Sequence, residues 1–347
     1  MPVTVRSFAK INFGLSIGAL RPDGFHDLRT VYQTIALHDI IRVEVGRGTG
    51  IEIRCEDPRV PKDASNTCYR IVERALPALQ VRGRVTITIE KRLPVQGGLG
   101  AGSGNAVATL LALERALKKK IPGAEKLRIA GAVGSDLPLF LVGGTSLGVG
   151  HGEEVYPLPD LPATVCVVAT PEIGVSTPKA FADWDTMMGG SLKNPAELRS
   201  PRTEQSPVPT QSVDRATLTP SPPSDRMLEV GRAISAWLSG QPLSGVPVSK
   251  GRGRAETSLL DLVRTGIEND FERVVFPEYP ELREVKSVLQ RSGAFYASLS
   301  GSGSALYGLF RSRMAGEKAA ARLRREGIPA VVTTTLARRQ YWKKILD

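Results

Sequence analysis

The feature that most restricts this chain is a run of glycines wedged between two periodic segments. Val85, Ile87 and Ile89 alternate as a half-buried strand does, and Val107, Leu110, Leu113 and Leu117 recur at helical spacing. Between them lies Pro94-Val95-Gln96-Gly97-Gly98-Leu99-Gly100-Ala101-Gly102-Ser103-Gly104-Asn105, where only Leu99 is bulky from Gly97 to Gly104. Strand, glycine loop and helix in that order let backbone N–H groups close round an anion. The unpaired amides and positive dipole end of the helix converge at the same place. No Gly-Lys-Ser/Thr closes the run, so it is not a Walker A loop, and Gly98, Gly100, Gly102 and Gly104 are spaced by two rather than as G-x-G-x-x-G. A phosphate cradle and a tight strand-to-helix turn both fit this composition.

With 347 residues the chain is long enough for two domains with full cores. The expected division is 1–160 and 161–347, with a Pro/Ser-rich insert at about 190–255. From 195 to 223 there are seven Pro and eight Ser/Thr, too little apolar surface to offset the entropy of ordering. A helix-like stretch at 226–238 and a second flexible piece at 240–254 follow, and order is expected to return at Thr257. Upstream, strand patterns fill most of the first ninety residues. A helix capped at Ser65 or Asn66 presents Cys68, Ile71, Val72, Ala75 and Leu76, and Pro77 ends or kinks it. The last third reads as a helix around Leu282, Val285 and Leu289, strands at 294–299 and 305–310, a helix at 315–326 and a strand at 330–335. Such mixing predicts an α+β architecture of two sandwiches rather than a doubly wound parallel sheet.

The formal charge is +11, and the segment from Arg311 to Asp347 holds ten Lys/Arg against three Asp/Glu. A solvated basic face explains such a run, as does a nucleic-acid patch or a field that attracts nucleotides. Cys55, Cys68 and Cys166 are odd in number and scattered, which argues against a disulfide framework and for a reduced, cytoplasmic protein. No Cys/His pair has zinc-ligand spacing, so no resident transition metal is expected. No apolar run reaches the length of a membrane span.

Two side chains stand out beyond the glycine run. Asp136 precedes the apolar Leu137–Val142 and reads either as a helix N-cap or as a partly desolvated general base. Lys10 lies in an apolar strand, where a lysine ordinarily snorkels to water. Beside a carboxylate and a phosphate it would instead steer a hydroxyl substrate. Gly301-Ser302-Gly303-Ser304 joins two strands, as a hairpin turn or as a second loop whose backbone approaches a ligand.

Taken together, these segments resemble the GHMP kinase superfamily, which includes galactokinase, homoserine kinase and mevalonate kinase. Ala9-Lys10-Ile11-Asn12-Phe13-Gly14-Leu15, Arg21-Pro22-Asp23-Gly24-Phe25-His26-Asp27-Leu28 and Thr30-Val31-Tyr32-Gln33 narrow the likeness. The branch indicated acts on a cytidyl diphosphate of a methylated polyol, in the non-mevalonate route to isoprenoids. The resemblance covers 5–183 and 257–335. It implies a ribosomal-protein-S5-like N-terminal domain, a ferredoxin-like C-terminal domain and an active site in the cleft between them. By that resemblance Asp136 is the base, Lys10 its cation, and Pro94–Asn105 the ATP-phosphate loop, with Mg²⁺ bridging ATP oxygens. Asn12, Thr177, Gly301 and Ser302 would hold the substrate, and Phe25, His26 and Phe181 its cytosine, two aromatic faces sandwiching the base. The chain departs from the family where Gln96 replaces a small residue, Gly104 a serine and Phe25 a tyrosine. The missing serine hydroxyl removes one potential phosphate or Mg²⁺ contact. The implied partner is a small molecule rather than nucleic acid or membrane, and the expected state is a monomer or weak homodimer. The competing readings are a sister kinase for homoserine or a mevalonate, and a basic RNA-binding protein.

Overall fold

A computed structural model describes residues 2–95, 97–189 and 268–345. The insert at 190–255, the resumption of order at Thr257 and Gln96 lie outside the described residues.

In chain order the elements are β1 (Val3–Leu20), β2 (His26–Gly46), β3 (Gly50–Cys55), α1 (Thr67–Ala78), β4 (Arg84–Glu90) and α2 (Ala101–Leu117). Next come α3 (Gly123–Val133), α4 (Leu137–Val142), β5 (Thr145–Val149), β6 (Glu154–Pro157), β7 (Val165–Ala169) and α5 (Thr177–Gly189). After the insert follow α6 (Glu272–Glu278), α7 (Pro280–Arg291), β8 (Tyr296–Leu299), β9 (Leu306–Phe310), α8 (Arg313–Arg325), β10 (Ala330–Thr334) and α9 (Arg338–Ile345).

The strands form two sheets. The first runs β3-β4-β2-β5-β6 with β1 also paired to β2, and the second runs β10-β7-β9-β8. β2 is long enough to serve several neighbours: it pairs with β4 through Ile40–Gly46 and with β5 through Thr30–Gln33. β3 and β4 are parallel, joined across the sheet by α1. Asn66 caps α1 by accepting the Cys68 amide at 2.8 Å, and Pro77 sits in its last turn. The expected strand at 294–299 begins only at Tyr296, because Gly293 (φ 94°) still belongs to the turn that ends α7.

Three apolar clusters hold these layers. In the first, α1 and α2 cover one face of the first sheet, with Ile71, Val72, Val107, Leu110 and Leu113 against Ile41, Val43, Val85 and Ile87. The second lies under the second sheet, where Trp184, Phe271, Val285, Leu289 and Leu323 meet Val167, Leu299 and Phe310. The third joins the sheets, with Ile11, Phe13, Val31 and Ile35 facing Cys166, Val168, Tyr307 and Leu309. β1 therefore feeds two clusters, giving Ile11 and Phe13 to the joint and Leu15 and Ile17 to the second core.

The chain end returns to the first core. Tyr341 and Ile345 of α9 are buried there, and Tyr341 Oη donates to the Phe140 carbonyl at 2.6 Å. Part of the basic C-terminal charge is locally paired, in Arg313–Glu317 and Arg322–Glu326. All three cysteines are free and buried. Among the described residues no helix is long and apolar enough to cross a membrane.

Candidate active site

Lys10 occupies the middle of β1 with its side chain only 4% exposed, so it does not snorkel. Its amide donates to the Leu99 carbonyl at 2.9 Å, which ties the strand to the glycine loop. Its ammonium donates to Asn12 Oδ1 at 2.8 Å and stands 3.3 Å from Asp136 Oδ2. Asn12 is oriented in turn by donating to Thr30 Oγ1 at 2.8 Å, and Thr30 donates to the Gly14 carbonyl at 2.8 Å. The Lys10 cation also lies 5.6 Å from the Tyr32 ring centroid, within cation–π reach.

Asp136 holds the N-cap position of α4 yet makes no cap hydrogen bond. Its side chain turns to the cleft, one-third exposed, and accepts from Tyr32 Oη at 3.0 Å on the oxygen that Lys10 leaves free. Burial, then the Asp136 charge, pushes the Tyr32 hydroxyl well above its ordinary range, so it stays a donor. A lysine on one oxygen and a tyrosine on the other fix the plane of a carboxylate that still meets solvent.

The glycine run reaches this pair from one side. Gly100, at φ 68°, starts α2 with no side-chain cap, leaving the first-turn amides of Ala101, Gly102 and Ser103 for a ligand. The Gly301–Ser304 turn reaches it from the other side. Ser300 Oγ donates to the Gly98 carbonyl at 3.0 Å, and the Ala305 amide to the Gly97 carbonyl at 3.1 Å. The two loops cross so closely that a Cβ on Gly98 (φ 75°) would overlap the Ser300 carbonyl oxygen. Asn269 anchors the second loop by donating to the carbonyls of Leu299 and Gly301 at 3.0 and 2.7 Å. Thr177 Oγ1 and Ser302 Oγ lie 2.7 Å apart.

Of these groups, Lys10, Asn12, Tyr32, Asp136, the glycine loop, Thr177 and Ser302 line one cleft of about 1000 Å³, together with Phe25, His26 and Phe181. Every described residue of Pro94–Asn105 lines it except Gly104. Gly104 was expected in the phosphate cradle. Its α-carbon instead faces the Phe8 carbonyl and Ser7 Oγ, where α2 packs on β1, so it is a close-approach glycine between helix and strand. Gly301 likewise stands behind the lining, with a Cβ there 3.5 Å from Lys10 Nζ.

The aromatic residues share the cleft, and each of the two phenylalanines lies against a histidine. Phe25 stacks on His151 (centroids 4.7 Å, 29°) and Phe181 stacks on His26 (5.1 Å, 11°). A carboxylate holds each imidazole, Asp23 at 3.2 Å from His151 Nε2 and Asp185 at 2.7 Å from His26 Nε2. No site role was expected for His151, Asp185 or Tyr32, although Tyr32 falls in the Thr30–Gln33 motif. Tyr32 had a usable signal, since alternation along β2 puts it on the same face as Thr30. The two aromatic–histidine pairs had none, because they depend on chain segments far apart in sequence.

Residues 66–144 match the model of the GHMP kinases N terminal domain, and residues 255–329 that of the GHMP kinases C terminal region. Along most of its length the chain is similar to curated 4-diphosphocytidyl-2-C-methyl-D-erythritol kinases. The Solibacter usitatus protein is 35% identical over 90% of this chain and 82% of its own length. The Moorella thermoacetica protein is 30% identical over 96% of this chain and 99% of its own. This chain belongs to the 4-diphosphocytidyl-2-C-methyl-D-erythritol kinase family. A crystal structure of 4-(cytidine 5'-diphospho)-2C-methyl-D-erythritol kinase superposes with TM-score 0.65 at 27% identity, covering 96% of this chain and 99% of that one. A homoserine kinase from Cytophaga hutchinsonii superposes equally well (TM-score 0.66, 97% and 95% covered) at 18% identity, a likeness of fold alone. Within the 4-diphosphocytidyl-2-C-methyl-D-erythritol kinase family, then, this chain has the GHMP kinase fold that its motifs foretold.

Proposed function

We propose that this chain transfers the γ-phosphoryl group of ATP to the 2-hydroxyl of 4-diphosphocytidyl-2-C-methyl-D-erythritol. The Asp136–Lys10 pair beside the glycine loop carries this reading, and full-length similarity to kinases of that name supports it. The loop and the first-turn amides of α2 cradle the triphosphate. Asp136 accepts the hydroxyl proton as the alcohol oxygen attacks the γ-phosphorus in line, and ADP leaves. Lys10 draws charge from the phosphoryl oxygens and holds the carboxylate in place with Tyr32. Phosphoryl transfer asks for little more than this positioning and charge balance.

Among the described residues no three His, Cys, Asp or Glu side chains gather as a metal cage. Mg²⁺ does not require such a cage, since it keeps several waters and is held mainly through substrate phosphates. Asp136 and Ser103 are among the cleft side chains that would add an oxygen, and the ion would neutralise charge on the β- and γ-phosphates. The Phe25–His151 and Phe181–His26 pairs form the cytidine end of the cleft. Base stacking there contributes about 1–3 kcal/mol per base. The halves 1–160 and 161–347 supply the two walls, and the working unit is a cytoplasmic monomer or weak homodimer.

An ADP-release assay with equal concentrations of the cytidyl substrate, homoserine and mevalonate tests the reading. Turnover confined to the cytidyl substrate is expected. Faster turnover of either other alcohol contradicts it.

A further inference from the structure

Asp39 has no exposed surface and does not line the cleft, yet it touches both ends of the glycine run. One carboxylate oxygen accepts the amides of Arg92 (2.7 Å) and Leu93 (2.8 Å), immediately before Pro94. The other accepts Lys91 Nζ (2.6 Å) and Asn105 Nδ2 (2.9 Å), the latter immediately after Gly104. A loop this rich in glycine has little stiffness of its own. One buried carboxylate joined to both flanks sets the distance that the loop must span.

The same contact decides how Asn105 is turned. A carboxylate only accepts, so the Asn105 amide presents its NH₂ group to Asp39 and its oxygen elsewhere. That oxygen is buried and lacks a partner, in a residue that is 4% exposed and lines the cleft. An unpaired buried acceptor is costly unless a ligand completes it. Nor does stability alone explain the arrangement, since a buried ion pair can often be replaced by apolar groups at no loss.

We infer that Asp39 is a positioning residue for nucleotide binding: it sets the span of the phosphate loop and locks Asn105 so that Oδ1 accepts a hydrogen bond from a donor of the bound nucleotide, a ribose hydroxyl or the adenine amine, since the ionised phosphates only accept. This rests on reading the glycine run as the ATP-phosphate loop. Asp39 then acts through Asn105, and the two must be coupled.

Calorimetric ATP titrations of four chains test this: wild type, Asn105→Ala, Asp39→Asn/Lys91→Met, and the triple variant. The paired substitution removes both buried charges together, so neither is stranded; because Lys91 also lines the cleft, the coupling to Asn105 rather than the size of the paired loss is the readout. Melting curves accompany each chain, and Asp39→Asn alone replaces the pair if the pair does not fold. Asn105→Ala and the paired variant should each weaken ATP roughly tenfold, the scale of one buried hydrogen bond. Asn105→Ala added to the paired variant should cost less than about twofold, because coupled residues are not additive. Affinity for the cytidyl substrate should stay unchanged. Additive losses, or ATP and alcohol affinities falling together as a purely structural role requires, overturn the inference. A wild-type chain that fails to bind ATP overturns the reading of the loop instead.

Discussion

At the scale of single residues, Tyr32 shows how a side chain outside the obvious motif shapes the chemistry. Its hydroxyl is one of two donors fixing the Asp136 carboxylate, the other being Lys10. Tyr32→Phe keeps the ring under the lysine and removes only that bond. A hydrogen bond to a charged group is worth about 1.5–3 kcal/mol, so kcat should fall roughly tenfold or somewhat more. The KM for ATP should not change, and steady-state kinetics with each substrate varied would show the split. Lys10 and Asp136 were legible as residue types in unusual surroundings, but their 3.3 Å approach was not. Nothing local to either segment says that the turn before α4 folds back onto β1.

Among the elements, the glycine loop was the most legible because its signal is local: a period of two, a break, then a helical period. Which glycines serve the ligand was less so. Gly104 lies one helical turn before Val107 and Ala108 on the buried stripe of α2, and that phase marks it as a packing residue. Gly98→Ala should destabilise the protein by at least the roughly 1–2 kcal/mol of a left-handed non-glycine residue, with the Ser300 overlap added. Gly131→Ala makes the contrasting case. It lies inside α3 with open space around it, so it should gain about 0.5–1 kcal/mol of helix propensity. Urea midpoints for the two variants should move in opposite directions. The stacking of Phe25 and Phe181 on histidines was invisible in sequence. Each pair joins segments whose meeting is decided by α5 and by the turn between β5 and β6.

Across the whole molecule, three apolar clusters that share strands make the two sheets one mechanical unit with the cleft at their joint. Tyrosines sit in or against the first and third of these clusters, and their ionisation sets an alkaline limit on the fold. Burial pushes Tyr296 up to about 12, and Tyr32, Tyr307 and Tyr341 are also raised from an ordinary 10.0. Folded-state values above unfolded ones mean that this stability is fully present below the ordinary tyrosine pKa. It is lost as pH rises toward the folded values. Tyrosinate absorbance and circular dichroism should therefore change together above the ordinary value, as unfolding releases these hydroxyls. Tyrosine ionisation completed at the ordinary value with the dichroism intact would contradict that limit. The α+β class and both halves of the fold were readable from periodicity and the resemblance. The return of α9 to the first core was not, since its basic surface obscures the two residues, Tyr341 and Ile345, that it buries.

Asp136→Asn offers the most direct measurement, because it keeps the shape of the side chain and removes its capacity to take a proton. With ATP and the cytidyl substrate both saturating, kcat should fall by on the order of 10²–10⁴, the contribution of a positioned base. Dissociation constants for both ligands should stay close to wild type. Wild-type turnover in a folded Asp136→Asn chain would contradict the account.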